Sequence, residues 1–587
     1  MDNSLSSFDA ATQKHINDWL EGPYDDATKA EIQRLLKESP KDLIEAFYTT
    51  LSFGTGGLRG VMGIGSNRMN IYTVTAATQG LANYINKQPK TQKEHSVLIG
   101  YDCRNNSKLF AEESAKVLAA NGIKVYIYSA LRPVPLVSFG CRLKKCLSAI
   151  MVTASHNPPE YNGYKVYWDD GAQVLPPHDI GIIEEVQKVT DPTQVKFTQL
   201  PNDLVEIVHE EIDDAYIKAI KPLQCYPDQN KKQGPKLNIV YTSLYGAGIT
   251  VVPKVLSDWG FSNLKFVDEQ IVPNGDFPTT PSPNPEEKSA LLLGIKKLQE
   301  TSSDILVATD PDSDRMGVVA MHKGEPIIFN GNEIACICLE HILEALTKQN
   351  RLPINAAFIK TIVTSELFQS IADSYKKPCF NVLTGFKYIG ELIKKWESDP
   401  NGYQYIYGGE ESYGTLLGTN SRDKDAVIAT ALIAEVALNA KLQNLTLLDL
   451  LHNIYKKQGV FREKLISLTF PGKEGIATMK ALMENLRKTP PKTFNNIPIE
   501  TIDDYKTSEK NHLLTGKQEK LTLPTSDVLV FWLQDKSRLV IRPSGTEPKI
   551  KLYGEVSSKT FSSVEEGVKA CDAKVTTLLE SLKKDLQ

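Results

Sequence analysis

The sequence of 587 residues lacks several features that would assign it to a whole class of proteins. No apolar run approaches the roughly 20 residues that a membrane-spanning helix needs. An excess of one charge is also absent, because 67 Lys and Arg residues stand against 71 Asp and Glu residues, a net charge of −4. A surface that coats nucleic acid needs a strong positive balance. The sequence therefore predicts no membrane and no nucleic acid as partner, and local basic pockets must hold any anionic ligand.

Cysteines and histidines at metal-binding spacing are missing too. The eight cysteines are scattered, and neither Cys336 with Cys338 nor Cys141 with Cys146 has the second pair that a zinc site needs. The stretch from Met1 to Gln13 is polar, without the basic-then-apolar pattern of a secretory signal. Together these absences predict reduced thiols and a cytoplasmic location.

Predicted strands and helices alternate along most of the chain. The first round has a strand at 96–102, a helix at 107–120 and strands at 123–128 and 147–153. The alternation recurs twice, and its second round includes a helix predicted at 246–259. This pattern is typical of a mostly parallel sheet covered by helices on both faces. Residues 14–50, ahead of the first round, have the pattern of charged amphipathic helices.

The last part of the chain has a different pattern, with three strand-like segments followed by a helix near 564–583. It predicts a smaller α+β domain with an antiparallel sheet. The expected fold class is thus three consecutive α/β domains with mixed or parallel sheets and a C-terminal α+β domain. The expected domains are 1–210, 211–326, 327–455 and 456–587.

A serine at the end of a buried strand is the first candidate for chemistry. Thr153-Ala154-Ser155-His156-Asn157-Pro158 follows the apolar run 147–152, and Lys165 lies close behind. The strand would fix the hydroxyl of Ser155, while His156 and Lys165 can offset anionic charge and move protons. This arrangement suits a serine that carries a phosphoryl group. A turn that only ends the strand is the competing interpretation.

The second candidate is Asp310-Pro311-Asp312-Ser313-Asp314-Arg315, directly after the apolar strand 305–308. Carboxylates at alternate positions can converge on one side of an extended segment, and a divalent cation such as Mg²⁺ would relieve their repulsion. An EF-hand is excluded, because Arg315 stands where that loop needs Gly and Met321 where it needs Glu. A solvated acidic turn is the alternative.

Two further loops follow or join predicted strands. Gly408-Gly409-Glu410-Glu411-Ser412-Tyr413-Gly414 offers carboxylates and a hydroxyl that suit sugar hydroxyls, although an ordinary acidic loop has the same composition. Arg542-Pro543-Ser544-Gly545-Thr546-Glu547-Pro548 combines a guanidinium, hydroxyls and a glycine turn, which suits a phosphate. Lesser candidates are the flexible, amide-rich loop 54–60, which carries Arg59, and Thr384-Gly385-Phe386-Lys387 at a helix start.

Taken together, the four loops resemble the α-D-phosphohexomutase family, and within it the phosphoglucomutase branch that also includes phosphopentomutase-like enzymes. The motifs 153–158, 310–315, 409–414 and 542–548 occur in the family's order and span nearly the whole chain. The resemblance implies four domains around a central cleft, each contributing one loop. It implies an isomerase that interconverts glucose 1-phosphate and glucose 6-phosphate through a phosphoserine and a glucose 1,6-bisphosphate intermediate.

The resemblance also implies a role for each candidate residue. Phosphorylated Ser155 would bind one Mg²⁺ per chain together with Asp310, Asp312 and Asp314. The implied catalytic residues are Ser155, His156, Lys165 and Arg59. The implied substrate-binding residues are Thr384, Gly385, Lys387, Glu410, Ser412, Arg542, Ser544, Gly545, Thr546 and Arg315. Glucose 1,6-bisphosphate would act as activator and intermediate, small sugar phosphates would be the partners, and we expect a monomer or weak homodimer.

Alternatives to this function stay open at the level of sequence. The same chemistry could act on a mannose, ribose or deoxyribose phosphate, although Glu410-Glu411-Ser412-Tyr413 is more similar to the glucose-type loop than to the Glu-Met-Ser-Gly loop of mannose enzymes. A phosphatase using the same phosphoserine would release inorganic phosphate without isomerising the sugar. A sugar-phosphate sensor without catalysis is the third possibility.

Overall fold

The fold is that of a computed structural model, which describes residues 8–54, 57–89, 95–470, 472–544 and 549–586. The α-helices are α1 Ala10–Glu21, α2 Asp26–Glu38, α3 Pro40–Phe47, α4 Ile71–Lys87, α5 Ser107–Ala120, α6 Val134–Leu143, α7 His178–Gln187, α8 Glu211–Ile220, α9 Pro227–Gln233, α10 Val252–Asp258, α11 Lys288–Glu300, α12 Gly331–Lys348, α13 Glu366–Ser374, α14 Phe386–Glu397, α15 Ala426–Leu442, α16 Leu447–Gln458, α17 Gly472–Lys488 and α18 Val564–Asp585.

The strands of the described residues build four sheets. They are β1 Gly57–Val61, β2 Ser96–Tyr101, β3 Lys124–Tyr128, β4 Ser148–Val152, β5 Tyr161–Trp168, β6 Val205–Val208, β7 Ile239–Thr242, β8 Leu264–Phe266, β9 Ile305–Thr309, β10 Met316–His322, β11 Glu325–Phe329, β12 Ala356–Thr361, β13 Cys379–Val382, β14 Gln404–Gly409, β15 Thr415–Leu417, β16 Val460–Thr469, β17 Thr493–Phe494, β18 Ile497–Asp504, β19 Glu509–His512, β20 Gln518–Lys520, β21 Leu529–Leu533, β22 Arg538–Pro543 and β23 Lys549–Ser558.

The predicted N-terminal helices are confirmed as α1, α2 and α3. Their apolar faces form a small core around Ile16, Trp19, Ile32 and Phe47. Asp9 caps α1 and Asp25 caps α2, because each carboxylate accepts hydrogen bonds from backbone N–H groups of the first helical turn. Amphipathic spacing and Asp caps account for these helices from local sequence alone.

The first sheet is mixed and has the order β1-β5-β4-β2-β3-β6. Strands β2, β3, β4 and β6 run parallel, whereas β5 is antiparallel to β4 and β1 antiparallel to β5. The second sheet, β11-β10-β9-β7-β8, is likewise parallel at β8, β7 and β9 and antiparallel at β10 and β11. The parallel strands were predicted from the alternating pattern, and the antiparallel strands β1, β5, β10 and β11 were not.

The third sheet has the order β13-β12-β14-β15, with β12 and β13 parallel. The C-terminal sheet has the order β16-β23-β22-β21-β18-β19-β20, and β17 pairs with β18. Its pairings are antiparallel throughout. The predicted fold class, three mixed α/β sheets followed by an antiparallel α+β part, is confirmed.

Two sequence expectations were wrong in detail. The flexible loop expected at 54–60 contains strand β1, and Thr55 and Gly56 lie outside the described residues. Gly57 permits this strand, because a Cβ there would lie 1.8 Å from the carbonyl oxygen of Tyr164. The single helix expected at 246–259 is divided, because Val251 leaves helical geometry and α10 begins only at Val252, with Pro253 in its first turn.

The described chain divides into two compact units. Unit 1 comprises Met1–Gly331, Ile389–Tyr407 and Ser412–Gln443. Unit 2 comprises Asn332–Tyr388, Gly408–Glu411 and Asn444–Gln587. Among the described residues, no single helix is long and apolar enough to cross a membrane; only the broken pair α15 and α16 meets length and composition criteria when taken together.

Candidate active site

Ser155 in unit 1 lies just beyond the end of β4 and is 3% exposed. Its hydroxyl donates a hydrogen bond of 2.8 Å to Oδ2 of Asp310 and lies 3.1 Å from Nδ1 of His156. The backbone φ of Ser155 is +53°, in the left-handed region that a serine seldom adopts. The hydroxyl is thus held in one place by an unusual backbone conformation and points at a carboxylate.

The three predicted metal-binding aspartates come together immediately after β9. Asp310, Asp312 and Asp314 are fully buried, and one carboxylate oxygen of each lies within 4.8 Å of the others. Oδ1 of Asp310 accepts hydrogen bonds from the backbone N–H groups of Asp314 and Arg315, each at 3.0 Å. The backbone therefore folds the loop so that its acidic side chains converge.

The aspartate cluster fits a divalent metal ion. Oδ1 of Asp312 and Oδ1 of Asp314 are buried and accept no hydrogen bond from the described part of the chain. Buried oxygen atoms without a partner are costly in a folded protein, and carboxylate oxygens are the ligands that Mg²⁺ and Ca²⁺ prefer. The cluster could therefore hold a hard cation such as these.

Two lysines in unit 1 lie beside the aspartate cluster and offset its negative charge. Nζ of Lys165, on β5, lies 2.8 Å from Oδ2 of Asp312 and 3.2 Å from Oδ2 of Asp314. Nζ of Lys424 lies 3.2 Å from the same oxygen of Asp314 and 3.3 Å from Oδ1 of Asp423. Both lysine side chains are only 11% exposed. Two buried ammonium groups thus stand beside the carboxylates and the hydroxyl of Ser155.

The charges of the cluster shift its acids in opposite directions. Burial, and then repulsion from Asp312 and Asp314, raises the pKa of Asp310 well above its usual value. Burial would also raise the pKa of Asp314, but attraction from Lys424, Lys165 and Arg315 outweighs it, so that pKa is lowered. Burial opposes the charge of Lys165, yet Asp312 and Asp314 outweigh it and raise its pKa. Asp314 is therefore ionised and Lys165 protonated at neutral pH.

His156 is the titratable group next to the hydroxyl of Ser155. Burial and then the positive charges of Arg315 and Arg59 lower the pKa of His156 well below its usual value. A neutral imidazole at neutral pH can accept a proton through a ring nitrogen. Its Nδ1, 3.1 Å from Oγ of Ser155, is in position for that exchange.

The two predicted arginines of unit 1 lie around the same loops. Arg59 is on β1, opposite Gly163 of β5, and its Nη1 lies 3.5 Å from Oδ1 of Asn157. Arg315 forms an ion pair with Glu286, and its Nε is 3.8 Å from Oδ1 of Asp314. Arg59 is exposed and Arg315 half-buried. The contacts with Asn157 and Asp314 place these guanidinium groups near the Ser155 and aspartate loops.

The predicted sugar loop and helix start meet in unit 2. Oε1 of Glu410 accepts a hydrogen bond of 2.7 Å from the backbone N–H of Gly385. Thr384 precedes this contact, and Lys387 lies in the first turn of α14 with Nζ 5.3 Å from the ring centre of Tyr388. Glu410 therefore holds the segment at the start of α14. Ser412, two residues after Glu410, is half-buried and belongs to unit 1.

Glu411 adds a titratable group to this part of unit 2. Burial and the neighbouring charge of Glu410 raise the pKa of Glu411 to about 7, although Arg542 and Lys551 attract its charge. Oε2 of Glu411 also accepts a hydrogen bond of 3.4 Å from Oγ1 of Thr361. The influence of Arg542 and Lys551 on Glu411 places the C-terminal strands β22 and β23 close to the Glu410 segment.

The predicted phosphate loop begins at the end of β22. Arg542 pairs in register with Lys551 of β23, and the backbone N–H of Ser544 donates 2.7 Å to the carbonyl of Lys549. Gly545 and Thr546 lie outside the described residues. The same strand carries buried Arg538, which forms ion pairs with Glu366 and Glu555 and thereby ties β22 to the start of α13.

Comparison with known proteins gives the family of this fold and site. Four domain models described as phosphoglucomutase/phosphomannomutase match the chain: alpha/beta/alpha domain I at residues 50–193, domain II at 214–324, domain III at 330–457 and the C-terminal domain at 474–568. The chain belongs to the phosphoglucomutase/phosphomannomutase family. The predicted family is thus confirmed, as is its architecture of three α/β domains followed by a C-terminal domain.

Individual members of the phosphoglucomutase/phosphomannomutase family are similar over nearly the whole chain. Phosphoglucomutase of Staphylococcus aureus (strain MSSA476) is 34% identical over 555 residues, which cover 94% of this chain and 97% of the relative. Phosphoglucomutase of Staphylococcus haemolyticus (strain JCSC1435) is 33% identical over 529 residues, covering 89% and 93%.

Solved structures of the family share the fold. A putative phosphomannomutase of Thermus thermophilus superposes with a TM-score of 0.66 at 20% identity, covering 91% of this chain and 99% of that one. The open form of the Paramecium phosphoprotein pp63/parafusin, a phosphoglucomutase, gives 0.65 at 16% identity, covering 91% and 95%.

Sequence reasoning missed Lys424 and the supports of the Ser155 loop, Asp102 and Arg104. The run Arg422-Asp423-Lys424-Asp425 is charged like a solvated turn, yet these four residues are buried. The signal was available, because a charged run directly before the apolar segment 426–440 must itself be partly buried when that helix is. Asp102 and Arg104 likewise follow a buried strand, and Arg104 comes three residues after β2, as Ser155 comes three residues after β4.

Proposed function

We propose that the protein interconverts glucose 1-phosphate and glucose 6-phosphate by transferring a phosphoryl group to and from Ser155. The observation that carries this proposal is the hydrogen bond from Ser155 Oγ to Asp310, inside a buried cluster of three carboxylates and two lysines. The likeness to phosphoglucomutases over nearly the whole chain supports glucose phosphates as substrates.

In the proposed first half-reaction, a sugar hydroxyl oxygen bonds to phosphorus while the bond from phosphorus to Ser155 Oγ breaks. The hydroxyl proton leaves to a base, and Oγ regains a proton. His156, which is neutral because its pKa is lowered, accepts that proton through Nδ1, 3.1 Å from Oγ, when Oγ attacks phosphorus in the return transfer. The resulting glucose 1,6-bisphosphate turns end over end, and its other phosphoryl group returns to Ser155.

Lys165 and Lys424 stabilise the negative charge of the phosphoryl group in both half-reactions. Lys165 is protonated, and both lysines are buried and fixed by Asp312, Asp314 and Asp423, so little reorganisation accompanies the reaction. Asp310, Asp312 and Asp314, with phosphorylated Ser155, would hold one Mg²⁺, which supplies further charge stabilisation when bound. Arg59 and Arg315 are the remaining cations assigned to the phosphoryl group.

Glu410 and Ser412 of the predicted sugar loop would bind sugar hydroxyls, and Thr384, Gly385 and Lys387 would contact the substrate. Arg542, Ser544, Gly545 and Thr546 would bind the phosphate that is not being transferred, because a guanidinium with hydroxyl and amide donors suits that anion. We propose the domains 1–210, 211–326, 327–455 and 456–587 as the four parts that present these loops. A monomer or weak homodimer in the cytoplasm stays a prediction.

A substrate panel tests the function. The purified chain is assayed with glucose, mannose, ribose and deoxyribose 1-phosphates, with Mg²⁺ and the matching bisphosphate supplied, and both 6- or 5-phosphate product and free inorganic phosphate are measured. We expect the highest kcat/KM with glucose 1-phosphate and little free phosphate. A higher kcat/KM with a pentose or mannose phosphate would change the assigned substrate, and phosphate release without isomerisation would indicate a phosphatase.

A further inference from the structure

A buried arginine that is not among the proposed catalytic residues forms hydrogen bonds to the loop that carries Ser155. Arg104 follows β2, and its side chain is 0% exposed. Its guanidinium donates to the carbonyl oxygens of Ser155 at 2.6 Å, Pro158 at 2.8 Å and Tyr161 at 3.1 Å, and also to that of Asn157. One side chain thus satisfies four carbonyl groups between residues 155 and 161.

The other side of Ser155 is held from the same turn after β2. The backbone N–H of Ser155 donates 2.8 Å to Oγ1 of Thr153, and that hydroxyl donates 2.6 Å to Oδ2 of Asp102. Oδ1 of Asp102 accepts from the backbone N–H of Arg104 at 2.9 Å and from Oγ of Ser107 at 2.7 Å. Asp102 and Arg104 therefore fix both the N–H and the carbonyl of Ser155.

The contacts of Arg104 and Asp102 stabilise the left-handed backbone conformation of Ser155. A left-handed backbone is unfavourable for a non-glycine residue, and it persists only where the surroundings impose it. The face of the Arg104 guanidinium lies 5.1 Å from the ring centre of Phe277, which keeps water from competing for the four carbonyls. Lysine could not replace this arrangement, because its single ammonium lacks the planar fork that reaches several acceptors.

We propose that Arg104, fixed by Asp102, is a positioning residue for phosphoryl transfer: its four carbonyl contacts keep Ser155 Oγ aimed at the Asp310–Asp314 carboxylates. The inference rests on the proposed function, since it assigns Arg104 an effect on the transfer step itself. Arg104 donates its hydrogen bonds to backbone carbonyls, so its loss affects the substrate only through the loop. The proposed role of Arg104 therefore predicts that its substitution lowers kcat without a matching change in KM.

The test compares Arg104→Lys with Arg142→Lys. Arg142 is the matched control, because it also donates to two loop carbonyls, those of Thr419 at 2.6 Å and Asn420 at 2.9 Å, away from Ser155. We expect Arg104→Lys to lower kcat roughly 10- to 100-fold, the scale of a misplacement near 1 Å. KM for glucose 1-phosphate should stay within about twofold, the range left when binding contacts are untouched. Amide hydrogen exchange should accelerate in peptides covering 153–161, and Arg142→Lys should change none of these quantities.

Unchanged kcat in Arg104→Lys would overturn the inference, with or without faster exchange in the loop. A fall in kcat/KM that is due entirely to a higher KM would also overturn the inference. A loss of activity that matches the fraction of unfolded protein would do the same. If Arg104→Lys does not fold, Asp102→Asn is measured in its place, with the same expected results. This substitution weakens the support of Arg104 and Thr153 with little change in side-chain volume.

A separate measurement isolates the proposed function from this inference. Wild-type protein is incubated with glucose 1,6-bisphosphate, and Ser155 is examined by intact mass and peptide mapping. Absence of a phosphoryl group on Ser155, together with absence of mutase activity, would refute the proposed function. A phosphorylated, active wild type beside a fully active Arg104→Lys would refute the role of Arg104 alone.

Discussion

Ser155 and Asp310 are 155 positions apart in sequence, yet Oγ of Ser155 donates a hydrogen bond of 2.8 Å to Oδ2 of Asp310. Each residue follows a buried strand, Ser155 after β4 of the first sheet and Asp310 after β9 of the second. The contact therefore joins two sheets through the loops that follow these strands. Ser155, the proposed phosphoryl carrier, thus contacts Asp310, a proposed metal ligand. The first two predictions follow from this contact.

Replacing Ser155 with alanine removes the hydroxyl that carries the phosphoryl group. We expect Ser155→Ala to lower mutase kcat by more than about 10³-fold, the scale on which loss of a covalent nucleophile acts. Circular dichroism should be unchanged, since alanine removes only one hydroxyl. Ser562→Ala, at an exposed serine, is the control and should keep full activity. Near-normal turnover by Ser155→Ala would rule out the covalent scheme.

Replacing Asp312 with asparagine removes one charge from the aspartate cluster while keeping the volume of the side chain. We expect the Mg²⁺ concentration for half-maximal activity to rise at least about tenfold, as loss of a charged metal ligand weakens binding by about 1.4 kcal/mol or more. A Mg²⁺ titration of initial rates measures this. Asp268→Asn, at a side chain 74% exposed, is the matched control and should leave the titration unchanged. Identical titrations of wild type and Asp312→Asn would contradict the assigned ligand.

Lys424 supplies one of the two buried ammonium groups beside Asp314. Lys424→Met keeps the length of the side chain but removes the charge, so we expect kcat to fall about 10²-fold, a typical loss for one electrostatic contact in an active site. Lys221→Met removes an ammonium that is 56% exposed and paired with Asp258. It should leave kcat unchanged. Equal kcat values for wild type and Lys424→Met would show that this lysine serves folding only.

Glu411 makes stability depend on pH. Its pKa is raised from 4.5 to about 7 in the folded protein, so the folded state binds its proton more tightly than the unfolded state. The raised pKa therefore lowers the free energy of unfolding as pH rises. This loss is absent below pH 4.5, grows as pH rises to 7 and is constant above pH 7, at up to about 3 kcal/mol. Glu411→Gln should therefore be more stable than wild type at pH 8, with a smaller difference at pH 5.

Urea unfolding at both pH values measures this difference. Glu509→Gln, at an exposed position on β19, controls for the loss of a carboxylate elsewhere in unit 2. An advantage of Glu411→Gln that is equal at pH 5 and pH 8 would contradict a raised pKa as its cause.

Much of the fold follows from local pattern. The helix predicted at 107–120 is α5, and the strands predicted at 96–102 and 147–153 are β2 and β4, each within one or two residues. Apolar runs bounded by polar turns specify such buried strands without reference to the rest of the chain. The edge strands β1 and β11 were missed, because edge strands are only partly buried and their pattern is weak.

The sequence by itself determined where chemistry could occur, since Ser155 and Asp310 each come directly after an apolar strand and a parallel sheet places its functional loops at such strand ends. Only the tertiary structure decided that Lys165 and Lys424 share Asp314, and that Arg104 holds the carbonyls of the Ser155 loop. Periodicity reports which face of an element is buried, whereas contacts between distant segments depend on how those faces pack.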